Sequence, residues 1–89
     1  MKVTFTKKFE KQLDTVRDKS LVQKISKIVQ EVILATEVSK IGNLKKLKGH
    51  DTAYRIRSGT YRIGVFIEEQ SVIFACFAHR KDIYNEFPS

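Results

Sequence analysis

The period of the hydrophobic pattern changes once along this chain, and that change constrains the fold more than any other feature. Phe9, Leu13 and Val16 recur at helical spacing; Leu21, Ile25, Ile28, Val29 and Val32 then do so again, with Lys24, Lys27 and Glu31 pointing away. Asp18-Lys19-Ser20 interrupts the two stripes, so the spacing predicts two helices folded back as an αα-hairpin. After Gly42-Asn43, and the lysine-rich segment Leu44–Gly49, three runs follow that are rich in β-branched and aromatic residues: Ala53–Arg57, Tyr61–Glu68 and Ser71–Ala78. Ser58-Gly59 and Glu69-Gln70 are short enough for hairpin turns, which makes the three runs an antiparallel meander. The last run is apolar on both faces and should be central. Ahead of the helices, Lys2–Thr6 alternates apolar and polar as a half-buried strand does, and Thr6 is placed to cap the first helix. Asp82–Phe87 has room for one helical turn before Pro88. The expected fold is α+β, ordered β-α-α-β-β-β, with a helical hairpin packed on a curled antiparallel sheet and a short C-terminal tail.

A chain of 89 residues buries only about 60% of its unfolded surface, so residues 1–89 are expected to form a single domain with one core. No apolar run approaches the roughly 20 residues of a membrane helix, and the N-terminus lacks the apolar stretch of a secretory signal. Cys76 is the single cysteine, which excludes an internal disulfide and fits a reducing compartment. The expectation is a soluble cytoplasmic protein that engages no membrane.

Charge is the second constraint. Lys and Arg number 17 against 10 acidic residues, leaving +7. Residues 40–62 hold Lys40, Lys45, Lys46, Lys48, Arg55, Arg57 and Arg62 against Asp51 alone. A basic zone this dense draws polyanions, either nucleic acid or an acidic protein; a merely solvated face is the plainer alternative.

Strand alternation sharpens the picture. With Ser58-Gly59 as the turn, Arg55 opposes Arg62; with Gly59-Thr60, Arg57 does. In both registers Arg55, Arg57 and Arg62 share a face. A two-residue turn at Glu69-Gln70 sets Arg62 opposite Phe77 and places His79 opposite Thr60, on that arginine face. Tyr61, Ile63, Val65 and Ile67 then face the helices. Opposed like charges cost up to about 1 kcal/mol, so either an anionic ligand or carboxylates such as Glu68, Glu69 or Glu86 should compensate.

No phosphate-cradling glycine loop, paired-carboxylate signature or metal-ligand spacing is present, and His50, His79 and Cys76 would supply a zinc site poorly. Cys76 reads as a buried structural thiol. Neither a metal nor a cofactor is expected. What remains is Lys, Arg, His and Tyr, a set able to cleave RNA because the substrate carries its own nucleophile, the 2′-hydroxyl. The protein need only align it, stabilise charge on the phosphorane and move two protons. Arginine suits the second task, lysine or histidine the third, and tyrosine can stack on an unpaired base. The same surface would also hold DNA or an acidic peptide.

Leu47-Lys48-Gly49-His50, then Tyr54-Arg55-Ile56-Arg57-Ser58-Gly59-Thr60-Tyr61-Arg62-Ile63, then His79-Arg80-Lys81-Asp82-Ile83-Tyr84 resemble the RelE/ParE superfamily of bacterial toxins. The resemblance runs nearly end to end and implies the toxin of a type II toxin–antitoxin system. One branch of the superfamily cuts mRNA on the ribosome without a metal; the other, the alternative here, poisons DNA gyrase. The RelE-like branch implies that Arg62 holds the scissile phosphate, that Lys46 and Lys48 include the base, and that Tyr84 stacks on the substrate base or orients its 2′-hydroxyl. It implies further that Arg80 is a second catalytic arginine and that His79 occupies a catalytic histidine's place. Lys45, Arg55, Arg57 and Lys81 would bind RNA or ribosome. The implied partners are a cognate antitoxin, the ribosome and mRNA, with operator DNA reached only through the antitoxin complex.

Overall fold

Thr6 fixes where the first helix begins. In this computed structural model, which describes residues 1–88, its backbone is extended and its hydroxyl accepts from the Phe9 N–H at 3.1 Å. The same hydroxyl donates to the Ala75 carbonyl at 2.7 Å, so one side chain both caps α1 (Lys7–Thr15) and ties it to the sheet. Asp18 caps α2 (Lys19–Leu34) by accepting from the Ser20 and Leu21 N–H groups at 2.9 and 3.3 Å. The apolar stripes turn inward as expected: Phe9, Leu21, Ile25 and Val32 are buried, with Leu13, Val16, Ile28 and Val29 packed around them. A 3-10 turn over Val38–Lys40 then leads to the main strands.

Among the described residues five strands make one sheet: β1 (Lys2–Phe5), β2 (Leu44–Lys46), β3 (Ala53–Ser58), β4 (Tyr61–Glu68) and β5 (Ser71–His79), in the order β1-β5-β4-β3-β2. The β3-β4-β5 meander is antiparallel and β5 is internal, as its two-sided apolar pattern requires. Two features of the strand arrangement depart from the sequence expectation, and a shift of register described below is a third. β1 pairs with β5 in parallel, and Leu44–Lys46 adds a short edge strand beside β3. β2 presents Lys45 and Lys46, and a short, charged edge resists pairing with other chains.

The turn between β3 and β4 is Gly59-Thr60, with Gly59 at φ +59°, a conformation that suits glycine. Arg57 therefore opposes Arg62, and Arg55 opposes Gly64. Between β4 and β5 the pairing begins as expected from Glu68 and Ser71 through Val65 and Phe74, then slips. Gly64 pairs with Cys76, leaving Ala75 as the extra residue of a β-bulge.

Beyond the bulge the faces exchange. Arg62 opposes Ala78 instead of Phe77, and His79 opposes Tyr61 instead of Thr60. His79 is thus not on the arginine face: it lies on the helical side with its ring 5.9 Å from Tyr61, edge-on. The slip sends Phe77 into the core, edge-on to Phe9 at 5.6 Å, and leaves small Ala78 beside Arg62. Burying a phenylalanine is worth about 1.5–3 kcal/mol, more than the 0.5–1.5 kcal/mol of a typical hydrogen bond that a bulge sacrifices.

The arginine face carries a second, smaller core. Leu47, Ala53, Ala75, Cys76, Ile83 and Phe87 pack together there, with Phe66 and Ala78 at their edge. The expected tail turn is α3 (Ile83–Glu86), closed by the Phe87 N–H donating to the Ile83 carbonyl at 2.8 Å. Cys76 is buried in this cluster, and burial pushes its thiol pKa up, as befits a structural residue.

Candidate nucleic-acid interface

Arg62 sits at the centre of the basic face because alternation and the Gly59-Thr60 turn place it directly across from Arg57. Its Nη1 donates to the carbonyls of Gly59 and Tyr61, both at 2.9 Å, which fixes the head of a long side chain against the turn. Burial, and then the charges of Arg55, Arg57 and Arg80, pull its pKa down, with Tyr84 acting in the opposite direction. An arginine remains charged at any working pH, so the effect is a concentrated positive potential. The alternative of carboxylate pairing fails: among the described residues the single ion pair is Lys8–Glu86 at 2.7 Å, remote in sequence from all three arginines.

Three adjoining clefts make one groove. A cleft of about 630 Å³ runs between α2 and the β3-β4 turn, lined by Lys24, Lys27, Arg57, Arg62 and Arg80, with Glu31 at its rim. A smaller one of about 300 Å³ joins Asn43, Lys45, Arg55, Arg57 and Arg62. The third, about 510 Å³, lies among Lys45, Lys46, Lys48, His50, Arg55 and the tail residues Tyr84 and Phe87. Shared walls set the order along the groove: Arg80 at one end, Arg62 between, and the lysines with Tyr84 at the other.

Most sequence-predicted residues converge here. Lys45 pairs with Arg55 and so shares the arginine face, whereas Lys46 pairs with Tyr54 and springs from the other side of the edge strand; both reach the third cleft, as does Lys48 from the following turn. Tyr84 is 63% exposed, and the Arg55 guanidinium carbon lies over its ring at 5.8 Å from the centroid. Arg80 is held beside the turn by its N–H, which donates to the Thr60 carbonyl at 2.7 Å. Two residues stand apart. His79 is on the helical side, where its Nδ1 accepts from the Lys81 N–H at 3.2 Å and finishes the strand, and Lys81 is exposed and lines none of the three clefts.

Sequence reasoning missed Lys24, Lys27 and Asn43. The two lysines are three apart on the outer face of α2, a spacing that puts them on one side, but only tertiary structure brings that side to Arg57. Asn43 adopts φ +58° and its carbonyl accepts from the Arg57 N–H at 3.1 Å; its position just after Gly42 was the available signal. Among the described residues no group of three His, Cys, Asp or Glu side chains gathers where a metal ion could be held, and no helix is long and apolar enough to cross a membrane.

Fold and groove together define a small α+β protein whose helices cover one side of a sheet and whose cations line a groove that runs from the other side round the β3-β4 turn to α2. The chain is 38% identical to Toxin RelE3 of Methanocaldococcus jannaschii over 89 residues, covering 99% of this chain and all of that protein. Its fold matches a chain of the RelB–RelE antitoxin–toxin complex from Methanococcus jannaschii with a TM-score of 0.78 at 35% identity, covering 96% of this chain and 99% of that one. The archaeal RelE–RelB complex from Pyrococcus horikoshii OT3 gives a TM-score of 0.72 at 17% identity, covering 92% and 97% of the two chains, a likeness of fold. No protein-family model matches the sequence. The chain belongs to the RelE family of toxins of type II toxin–antitoxin systems.

Proposed function

We propose that this toxin is a ribosome-dependent mRNA endonuclease that uses the RNA 2′-hydroxyl as its nucleophile and is neutralised by a cognate antitoxin. The observation that carries the reading is the groove's order: Arg62 lies between Arg80 on one side and the Lys46, Lys48 and Tyr84 cluster on the other. In-line displacement at phosphorus needs a proton acceptor and a proton donor on opposite sides of the phosphate, with positive charge between them. Arg62, with Arg55 and Arg57 beside it, holds the scissile phosphate. Lys46 or Lys48, as the neutral amine, takes the 2′-hydroxyl proton at one end and becomes an ammonium. At the other, Arg80 gives a guanidinium proton to the leaving 5′-oxygen and regains one from water. Tyr84, exposed beside the lysines, stacks on an unpaired base and steadies the reacting nucleotide.

Dependence on the ribosome is what membership of the RelE family leads us to propose, and the modest acid–base equipment supports it. A site of lysines and arginines gains most when its substrate arrives already in a reactive conformation, which an mRNA held for decoding provides. The antitoxin is expected to be acidic where it meets this groove, and operator DNA is reached only through the toxin–antitoxin complex. We place the toxin in the cytoplasm with its ribosomal target.

The test is the chemistry of the ends. Programmed ribosomes incubated with the toxin should yield upstream fragments ending in 2′,3′-cyclic phosphate or 3′-phosphate and downstream fragments beginning with 5′-hydroxyl. A single 2′-deoxy substitution at the cut position should block cleavage there. Ends of the opposite polarity, or unimpaired cutting at the deoxynucleotide, would contradict the mechanism.

A further inference from the structure

Tyr84 projects from a helix of four residues, too short to hold its own conformation, so something else must decide where that ring stands. Ile83 and Phe87 are 2% and 3% exposed, and both pack in the second core. Phe87 has an unusual seat. A β-carbon added at Gly64 would lie 2.5 Å from the Phe87 Cγ and 2.6 and 2.7 Å from its Cδ atoms, inside any permitted contact. The ring therefore fills the volume that a side chain at position 64 would claim, and it touches Phe66 with centroids 4.9 Å apart.

Gly64 lies mid-strand, and its φ is outside the left-handed region, so the backbone does not call for glycine there. The bulge has its extra residue, Ala75, on β5. Gly64 flanks the bulge, and close approach of another group is a recognised further reason for a glycine within a strand, one that the Phe87 ring supplies directly. Its cross-strand partner on β3 is Arg55, the residue whose guanidinium sits over Tyr84. The exposed Lys8–Glu86 pair adds a further tie between α1 and α3.

We propose that Gly64 and Phe87 form a latch that positions Tyr84 over Arg55 and so sets the tail-side wall of the lysine cleft. Both are positioning residues, not catalytic ones. The inference deepens the nuclease reading and rests on it for the reaction Tyr84 serves.

The test is a double-mutant cycle. Gly64→Ala, Phe87→Ala, Tyr84→Ala and the pair Gly64→Ala with Tyr84→Ala are compared in single-turnover cleavage on programmed ribosomes. Because misplacing one group by about 1 Å can cost on the order of 10²-fold, Gly64→Ala should approach the loss seen for Tyr84→Ala. The pair should be no slower than Tyr84→Ala alone. Phe87→Ala perturbs the latch from the tail side, leaving Gly64 itself unchanged, and melting curves of both variants separate loss of the latch from a general loss of folding. Amide spectra should change around residues 83–88 and their neighbours while the helices keep their shifts, and the Tyr84 ring resonances should move toward those of a free tyrosine. Multiplying losses in the pair, or parent rates with an unmoved Tyr84 ring in both latch variants, would overturn the proposal. A parent chain that cuts no RNA would contradict the nuclease reading; the latch then stands or falls on the Tyr84 resonances and on the same cycle read as affinity for a short single-stranded RNA.

Discussion

Arg62 shows how one side chain can combine anchoring with a charge left for a ligand. Nη1 is spent on two carbonyls of the turn, which holds the guanidinium in place, and no carboxylate neutralises the group among the described residues. Lysine would keep the charge but lose the planar fork, so Arg62→Lys should cut at least ~10²-fold more slowly with little change in melting temperature. Rapid-quench cleavage of programmed ribosomes checks this, and a rate within a few-fold of the parent would mean that charge alone suffices. Cys76 makes a prediction of a different kind. Burial holds its thiol above the ordinary value of 9.0, so the unfolded chain ionises first as pH rises. Its contribution to stability is complete below that value and is lost as pH climbs from there toward the raised folded value. Lys8, raised chiefly by its hydrogen bond to Glu86, acts in the same direction from 10.5 upward, weakly because the pair is exposed. Melting temperature measured against pH should therefore fall more steeply above pH 9 for the parent than for Cys76→Ala; parallel curves would contradict the burial argument.

At the scale of elements, the Thr6 hydroxyl and the bulge at Ala75 meet, since Thr6 caps α1 and donates to the Ala75 carbonyl. Thr6→Ala should cost about 1–2 kcal/mol in urea unfolding, and Thr6→Ser should recover most of it; a loss under about 0.3 kcal/mol would mean that water replaces both bonds. The helices, the meander and the arginine face were legible because their periodicity is strong and local. The bulge was not, for a specific reason. Val72–Phe77 is apolar on both faces, so a one-residue slip leaves its hydrophobic pattern unchanged, and alternation gave no warning that His79 would cross to the helical side. β2 was missed because three residues carrying two lysines look like a loop until Tyr54, Arg55 and Ile56 stand beside them. The parallel pairing of β1 likewise depends on contacts some 70 residues apart. Within the site, Lys24 and Lys27 were hidden by the same non-locality, whereas Arg62, Arg80 and Tyr84 lay in recognisable motifs.

The whole molecule divides its sheet between two tasks: one side buries the helices, and the other is part core, part cationic groove, whose end passes round the β3-β4 turn to α2. Such a groove should bind single-stranded RNA with an affinity that falls steeply with salt. The slope of log K against log salt is about −0.7 per phosphate neutralised, so Lys24→Ala with Lys27→Ala should make it shallower by roughly 1.4 if both contact the backbone. An unchanged slope in anisotropy titrations would place those lysines outside the RNA path. The central claim, that Arg62 cuts mRNA on the ribosome, is tested most directly by primer extension on mRNA in a purified translation system. The parent and Arg62→Ala are compared with and without ribosomes. Cuts in register with codons, present only when both ribosomes and Arg62 are there, are the expected result. Intact mRNA in every lane from protein shown to be folded, or equal cutting by Arg62→Ala, would contradict it.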